Sequence, residues 1–342
     1  MQSCRHSSPK PLRLEQSRFP CRASHLYTLT SLAAFTIKPV ALPQANPLTL
    51  RHHEYACARR LTREMPRRMP RALHLWHLAS LDAPTVAVVW TIAFSSAAGV
   101  HLDTWVLLLI ACGTWCVYVG DRLLDAQRAM RLDTLDYLRE RHYFHWHHRR
   151  WLIPCACTAA AIAALLIVGR MSSAVRHRDS VLAAAALLYF SGVHSTATLP
   201  HWIRKRISKE FLVGLLFTAG CSAPTLARLP SVGWPLIVCL TSFAALAWLN
   251  CSAIERWESS DLMTGISSRS SILSIVFFAS AAAMSFVNTR TAGMICIAGI
   301  SATLLTLLDL TRRRISTLTL RTLADMMLLT PLILLALTAR LG

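Results

Sequence analysis

Two carboxylates, Asp121 and Asp125, stand four residues apart in the stretch Val117–Asp125, at the edge of the apolar run Trp105–Gly120. On a helix that spacing puts both on one face. Like charges so placed repel, at a cost of about a few tenths of a kcal/mol in an isolated helix. Two arrangements relieve the repulsion. Arg122 and Arg128 can neutralise the pair as the chain leaves a membrane, or the pair can hold a cation between its carboxylates.

Acids are scarce in this chain, so their placement is informative. Asp121, Asp125, Asp133, Asp136 and Glu140 form one cluster, and Glu255, Glu258 and Asp261 form a second. Opposed acidic clusters suit divalent cations, which in turn hold a diphosphate. Mg²⁺ in that position neutralises phosphate charge and eases departure of the leaving group. The competing expectation is a pair of solvated loops, with Arg256 as counter-ion in the second. Arg204, Lys205, Arg206 and Lys209 can contact phosphate oxygens or serve only as a topology signal. Arg312, Arg313 and Arg314 read as that signal.

Within Arg141–Arg150, His142, His145, His147 and His148 alternate with Tyr143, Phe144 and Trp146. A His-x-x-His turn can ligate zinc, but no cysteine or acid at fixed spacing completes the set. The aromatic and basic alternation instead suits a helix lying at a membrane interface. Asp309 reads as interfacial. Asp325 stands about one turn into the last apolar run, where an acid is a functional candidate, or a simple partner for Arg321.

The elements that must position these groups are apolar helices. The chain is 54% hydrophobic and 15% charged, with a mean hydropathy of +0.42. This is the balance of an all-α, polytopic membrane protein. Nine runs approach bilayer-spanning length, at roughly 83–100, 104–120, 152–169, 180–199, 210–227, 232–250, 271–288, 292–310 and 320–339. Placing the N-terminus in the cytoplasm puts 30 of the 36 Lys and Arg residues on the cytoplasmic side, as the positive-inside rule requires. Both acidic clusters then face the cytoplasm, in the loops 121–151 and 251–270.

Residues 1–74 are set apart from the membrane domain, 75–342. The first 70 carry 12 Lys and Arg against three Glu and no Asp. They read as a basic, disordered tail, as a targeting segment, or as sequence ahead of a start at Met65 or Met69. No folded basic domain that would take nucleic acid is expected. The eleven cysteines are scattered, many inside apolar runs, and read as small packing residues rather than disulfides or zinc ligands.

The layout and motifs together resemble the UbiA superfamily of membrane prenyltransferases, nine-helix proteins with Asp-rich cytoplasmic motifs after helices two and six. Asp121-Arg122-Leu-Leu-Asp125 matches the second half of the first family motif. Lys205-Arg206, followed by Gly214 and Gly220, is similar to the family's stretch around helix five. Asp261-Leu-Met-Thr-Gly265 matches the end of the second motif. Val117 and Tyr118 stand where the family has Asn and Asp. The resemblance covers about residues 75–342. It implies Mg²⁺-dependent prenyl transfer from a prenyl diphosphate to an aromatic or lipid-like acceptor in a bacterial inner membrane. Asp121 and Asp125 would then hold one Mg²⁺, and Glu255, Glu258 or Asp261 another. Arg122, Lys205 and Arg206 would contact the diphosphate. A non-catalytic relative that binds an isoprenoid, another lipid or a protein partner is the alternative. A transporter using Asp325 is a third.

Overall fold

The computed structural model describes residues 69–131, 139–194, 208–258 and 265–341, all within one compact unit, Ala58–Gly342. Lys205, Arg206 and Asp261 lie outside the described residues, as do Asp133, Asp136 and the N-terminal tail. Among the described residues the fold is all-helical, with no strand. The helices are α1 (Arg71–Leu78), α2 (Asp82–Ala97), α3 (Thr104–Arg131), α4 (Glu140–His147), α5 (Arg149–Arg170) and α6 (Ser173–His194). They continue as α7 (Lys209–Leu226), α8 (Trp234–Glu258), α9 (Ser267–Ser285), α10 (Thr289–Thr311), α11 (Thr317–Met327) and α12 (Pro331–Leu341).

Five of these, α3, α5, α8, α9 and α10, are long and apolar enough to cross a membrane. A sixth is added if α1 and α2 form one broken span, their axes meeting at 86°. That bend passes through Ser80, whose φ of 55° turns the chain sharply between the two helices. The expected run 320–339 is also broken. It divides into α11 and α12, with Pro331 at the first helical position of α12, where its missing N–H is not needed. The carbonyl of Leu328, freed at this break, accepts a hydrogen bond of 2.8 Å from the Trp90 indole. α3 departs from expectation at its end. Its 28 residues span about 42 Å at 1.5 Å per residue, against about 30 Å of bilayer hydrocarbon. Asp121, Arg122 and Asp125 are therefore borne on a rigid helical extension rather than on a loop.

The core forms where α2 and α8 cross. Trp90 stacks on Phe243 with ring centroids 4.0 Å apart, and Phe94 meets the same ring edge-on at 5.5 Å. α9 and α10 pack as a hairpin joined by small and hydroxylated residues. The Ser274 hydroxyl donates to the Gly299 carbonyl at 3.2 Å, and the Thr306 hydroxyl donates to Ser270 at 2.8 Å. Such contacts let helix backbones approach where lipid removes the hydrophobic drive for association. At the periphery, α5 exposes Trp151, Ile153, Leu165 and Val168. These exposed side chains suit lipid rather than water.

Gly214 sets the approach of α7 to α8. A Cβ there would lie 2.8 Å from the Trp248 backbone nitrogen and 3.2 Å from the Ala244 carbonyl oxygen. Backbone atoms cannot step aside, so Gly214→Ala must push the helices apart. Its gain in helix propensity, about 1 kcal/mol, is outweighed, and a net loss of about 1–3 kcal/mol is expected. Gly113 in α3 has nothing within 4 Å of the same virtual atom, so Gly113→Ala should leave stability unchanged or raise it. Thermal unfolding of the two variants in one detergent checks the contrast.

Candidate functional site

The residues that gather at one end of the bundle come from the end of α3, the start of α4, the end of α8 and the first turns of α11. Their centre is Glu258, the last residue of α8. Its carboxylate accepts from Arg141 at 3.1 Å and from Arg321 at 3.0 Å, and it also pairs with Arg139. Arg122 completes a group of four guanidinium ions that feel one another's charge. Burial, reinforced by repulsion from Arg321, Arg122 and Arg139, holds Arg141 well below the usual arginine range. Burial likewise lowers Arg139, with Arg321 adding to the effect. A buried side-chain Nε of Arg122, Arg141 and Arg321 has no hydrogen-bond partner.

The first acidic pair sits at the rim of this cluster. Asp121 accepts from Arg122 at 2.9 Å, and the Arg122 guanidinium lies 5.7 Å from the centroid of the Tyr118 ring, within cation–π range. Asp125 lies 3.6 Å from His142 Nε2. Both carboxylates keep solvent access, at 31% and 41% side-chain exposure. The second acidic group divides: Glu258 is enclosed by arginines while Glu255 is exposed.

The histidine-rich segment is two-sided. α4 buries Arg141, His142 and His145 and leaves His147 exposed. His145 Nδ1 donates to the Arg141 carbonyl at 2.8 Å, so its Nε2 is free to accept from the Ser80 hydroxyl at 3.3 Å. Both bonds suit the neutral ring, and burial lowers its pKa to about 4. His142 is also lowered, chiefly by burial and against the pull of Asp125. Its Nδ1 accepts from the Arg139 backbone N–H at 3.3 Å, which places the ring proton on the nitrogen facing Asp125.

Beneath the arginines lies a cavity of about 80 Å³, space for two or three water molecules. Its polar end is made by Asp82, Tyr118, Asn250, Arg321 and Asp325, and its walls include Val86, Phe217 and Leu328. Asp325 does not pair with Arg321 in the manner its spacing suggests. It accepts from the Asn250 amide at 3.2 Å and faces Asp82 and His77. Asp309 is structural. It is fully buried and accepts from the Trp257 indole and the backbone N–H groups of Ile266 and Ser267, each at 2.8 Å. It thereby ties the end of α10 to the start of α9. A Cβ on Gly265 would lie 2.6 Å from this carboxylate, so the glycine that ends the second motif is required by packing.

Arg139, Arg141, His77, Asp82 and Asn250 were not singled out by sequence as site residues. Their signal was only that polar groups stood at the ends of apolar runs. Apart from the close pair His77 and Asp82, their partners lie far along the chain, as Glu258 does from Arg141, 117 positions away, beyond any local pattern.

The buried, neutral state of His145 gives a pH dependence. An unfolded histidine titrates near 6.5, so between pH 6.5 and 4 the unfolded chain takes up a proton that the folded chain refuses. Stability therefore falls as pH drops through that window. At pH 5 the loss from this residue is about 1–2 kcal/mol. Melting temperatures at pH 7 and pH 5 should show a shallower drop for His145→Asn than for the unmodified chain.

Comparison with known proteins found no matching family model, no matching curated protein and no matching solved structure.

Proposed function

We propose that this chain is a membrane prenyltransferase of the UbiA kind, a nine-helix bundle in a bacterial inner membrane with its N-terminus in the cytoplasm. The reaction is transfer of a prenyl group from a prenyl diphosphate to an aromatic or other lipid-soluble acceptor. The observation that carries the proposal is the cluster of Arg122, Arg139, Arg141 and Arg321 beside a partly apolar cavity. Four guanidinium groups gather about the carboxylates of Glu258 and Asp121, with Glu255, Asp82 and Asp325 also in electrostatic range; so dense a group of arginines suits a polyanion. Guanidinium forks match phosphate oxygens.

In this scheme the diphosphate displaces Glu258 from part of its arginine cage and uses the unpartnered Nε groups. Asp121 and Asp125 are the residues suited to hold Mg²⁺, with Glu255 in the last turn of α8 and Asp261 beyond it contributing. Bound there, Mg²⁺ supplies neutralisation of the departing diphosphate. The chain's own groups do the rest. The arginines orient the diphosphate, Tyr118 braces Arg122, and the apolar walls keep water from an allylic cation. The cavity is too small to enclose a long chain, so the prenyl tail must leave between helices toward lipid.

A second class of function is favoured by a different observation. Val117 is 56% exposed and Tyr118 is turned to the cavity, so neither position gives a metal ligand. A non-catalytic relative that binds a prenyl diphosphate without turning it over fits that loss.

Release of diphosphate from prenyl diphosphates of five to twenty carbons, with and without Mg²⁺, separates the two. Transfer predicts Mg²⁺-dependent release that falls at least about a hundredfold in Asp121→Asn plus Asp125→Asn, a loss of roughly 3 kcal/mol. Arg141→Gln should raise KM about tenfold or more, as removal of a charge-assisted hydrogen bond does. Tight binding of a non-hydrolysable analogue without turnover selects the non-catalytic relative. Neither binding nor release would overturn both.

A further inference from the structure

Among the described residues, one group of three His and Asp side chains brings the donor set of a metal centre together. His77 at the end of α1, Asp82 at the start of α2 and Asp325 in α11 bring one ligand atom each within 4.8 Å of one another. His77 and Asp82 are buried and Asp325 nearly so. His77 Nδ1 is 2.7 Å from Asp82 Oδ2 and 4.0 Å from Asp325 Oδ2. Bonds of about 2.1 Å place ligand atoms about 3 Å apart when adjacent around an ion and about 4.2 Å apart when opposite. The observed spacings match those values to within a small side-chain adjustment.

A further observation points to a ligand. Asn250, 4% exposed, gives its amide nitrogen to Asp325, while its buried Oδ1 has no partner. This oxygen belongs to a residue lining the same cavity as Asp82 and Asp325, so a hard donor stands beside the cluster. Leaving such a group unsatisfied costs about 1–3 kcal/mol, and two carboxylates side by side in a buried site repel. A cation removes the repulsion, and the cavity gives it a route in.

We infer that His77, Asp82 and Asp325, with Asn250 as an added oxygen donor, form a binding site for one divalent transition cation of the Mn²⁺, Fe²⁺ or Zn²⁺ class. The imidazole excludes Mg²⁺ as the preferred occupant, because Mg²⁺ takes oxygen ligands and nitrogen suits the later metals. The cation takes the place of the proton at His77 Nδ1, and the ring stays neutral by carrying its proton on Nε2. Arg321 borders the cavity and does not ligate. The site would also clamp the bend between α1 and α2 to α11, since its three ligands come from three helices. It is distinct from Asp121 and Asp125 and does not rest on prenyl transfer.

The test uses the full chain in nanodiscs, stripped with chelator, then titrated with Mn²⁺ in the presence of millimolar Mg²⁺ and followed by electron paramagnetic resonance. One Mn²⁺ per chain is expected in the micromolar range, with nitrogen modulation from one directly bound imidazole. His77→Ala and Asp325→Asn should each weaken it at least tenfold, while Asp121→Asn plus Asp125→Asn leaves it unchanged. Absence of micromolar binding overturns the proposal, as does binding that survives both cluster variants or is lost in the Asp121 and Asp125 double variant. If a cluster variant does not fold, the spectrum of the unmodified chain decides: no coordinated nitrogen overturns the site.

Discussion

Glu258 holds the site together. Its carboxylate is shared by guanidinium groups from the N-terminal boundary of α4, from α4 itself and from α11. Removing an arginine from water without a partner is costly, and one acid here offsets three such costs at once. Without it, Arg139, Arg141 and Arg321 would repel one another, and α4 would have little reason to fold back against the bundle. The position of α4 in turn decides where His142 meets Asp125 and where His145 meets Ser80. The charge network and the placement of the short helices are therefore one problem with one solution.

That solution also accounts for the bend at Ser80. The chain could have run α1 and α2 as a single helix, but the left-handed turn lets the Ser80 hydroxyl reach His145 and lets His77 reach Asp82. The indole of Trp115 donates to the Ala79 carbonyl at 3.0 Å, so the turn is held from α3 as well. Polar groups inside an apolar bundle are tolerated when each finds a partner. Around the turn most do, and the exceptions lie beside the cavity and the arginines.

Much of the fold was legible in sequence because helices announce themselves by apolar length: the described residues are all-helical, but five helices, or six with the bent pair, reach membrane-spanning length and apolarity where nine runs were expected. What could not be read was where those helices break or extend. Nothing local distinguishes α3 ending at Gly120 from α3 running to Arg131, because Asp121-Arg122-Leu-Leu-Asp125 is as compatible with a helix as with a loop. The break before Pro331 is visible only as a proline. The acids Asp121 and Asp125 were legible by spacing. Glu258 was legible as an acid, but its role as an arginine counter-ion was not, since Arg141 and Arg321 lie far from it along the chain. The segment 141–150 was misread in part for the same reason: an interface helix and a buried lid of Arg141, His142 and His145 share one sequence pattern, and only the packing partner separates them.

The positive bias of the chain then acquires a second meaning. Arg122, Arg139, Arg141 and Arg321 all belong to the charges that favour a cytoplasmic location for their segments. Yet Arg122 and Arg141 are 8% exposed, and all four point toward acids or one another rather than outward to lipid head groups. A charge that serves only topology gains by staying hydrated at the surface. Turning it inward incurs desolvation and mutual repulsion, and Glu258 and Asp121 offset only part of that. A diphosphate bound as proposed above would relieve the remaining imbalance beside the cavity that Arg321 lines. A positive-inside bias would account for arginines at one end of the bundle; it would not account for their turning toward its interior.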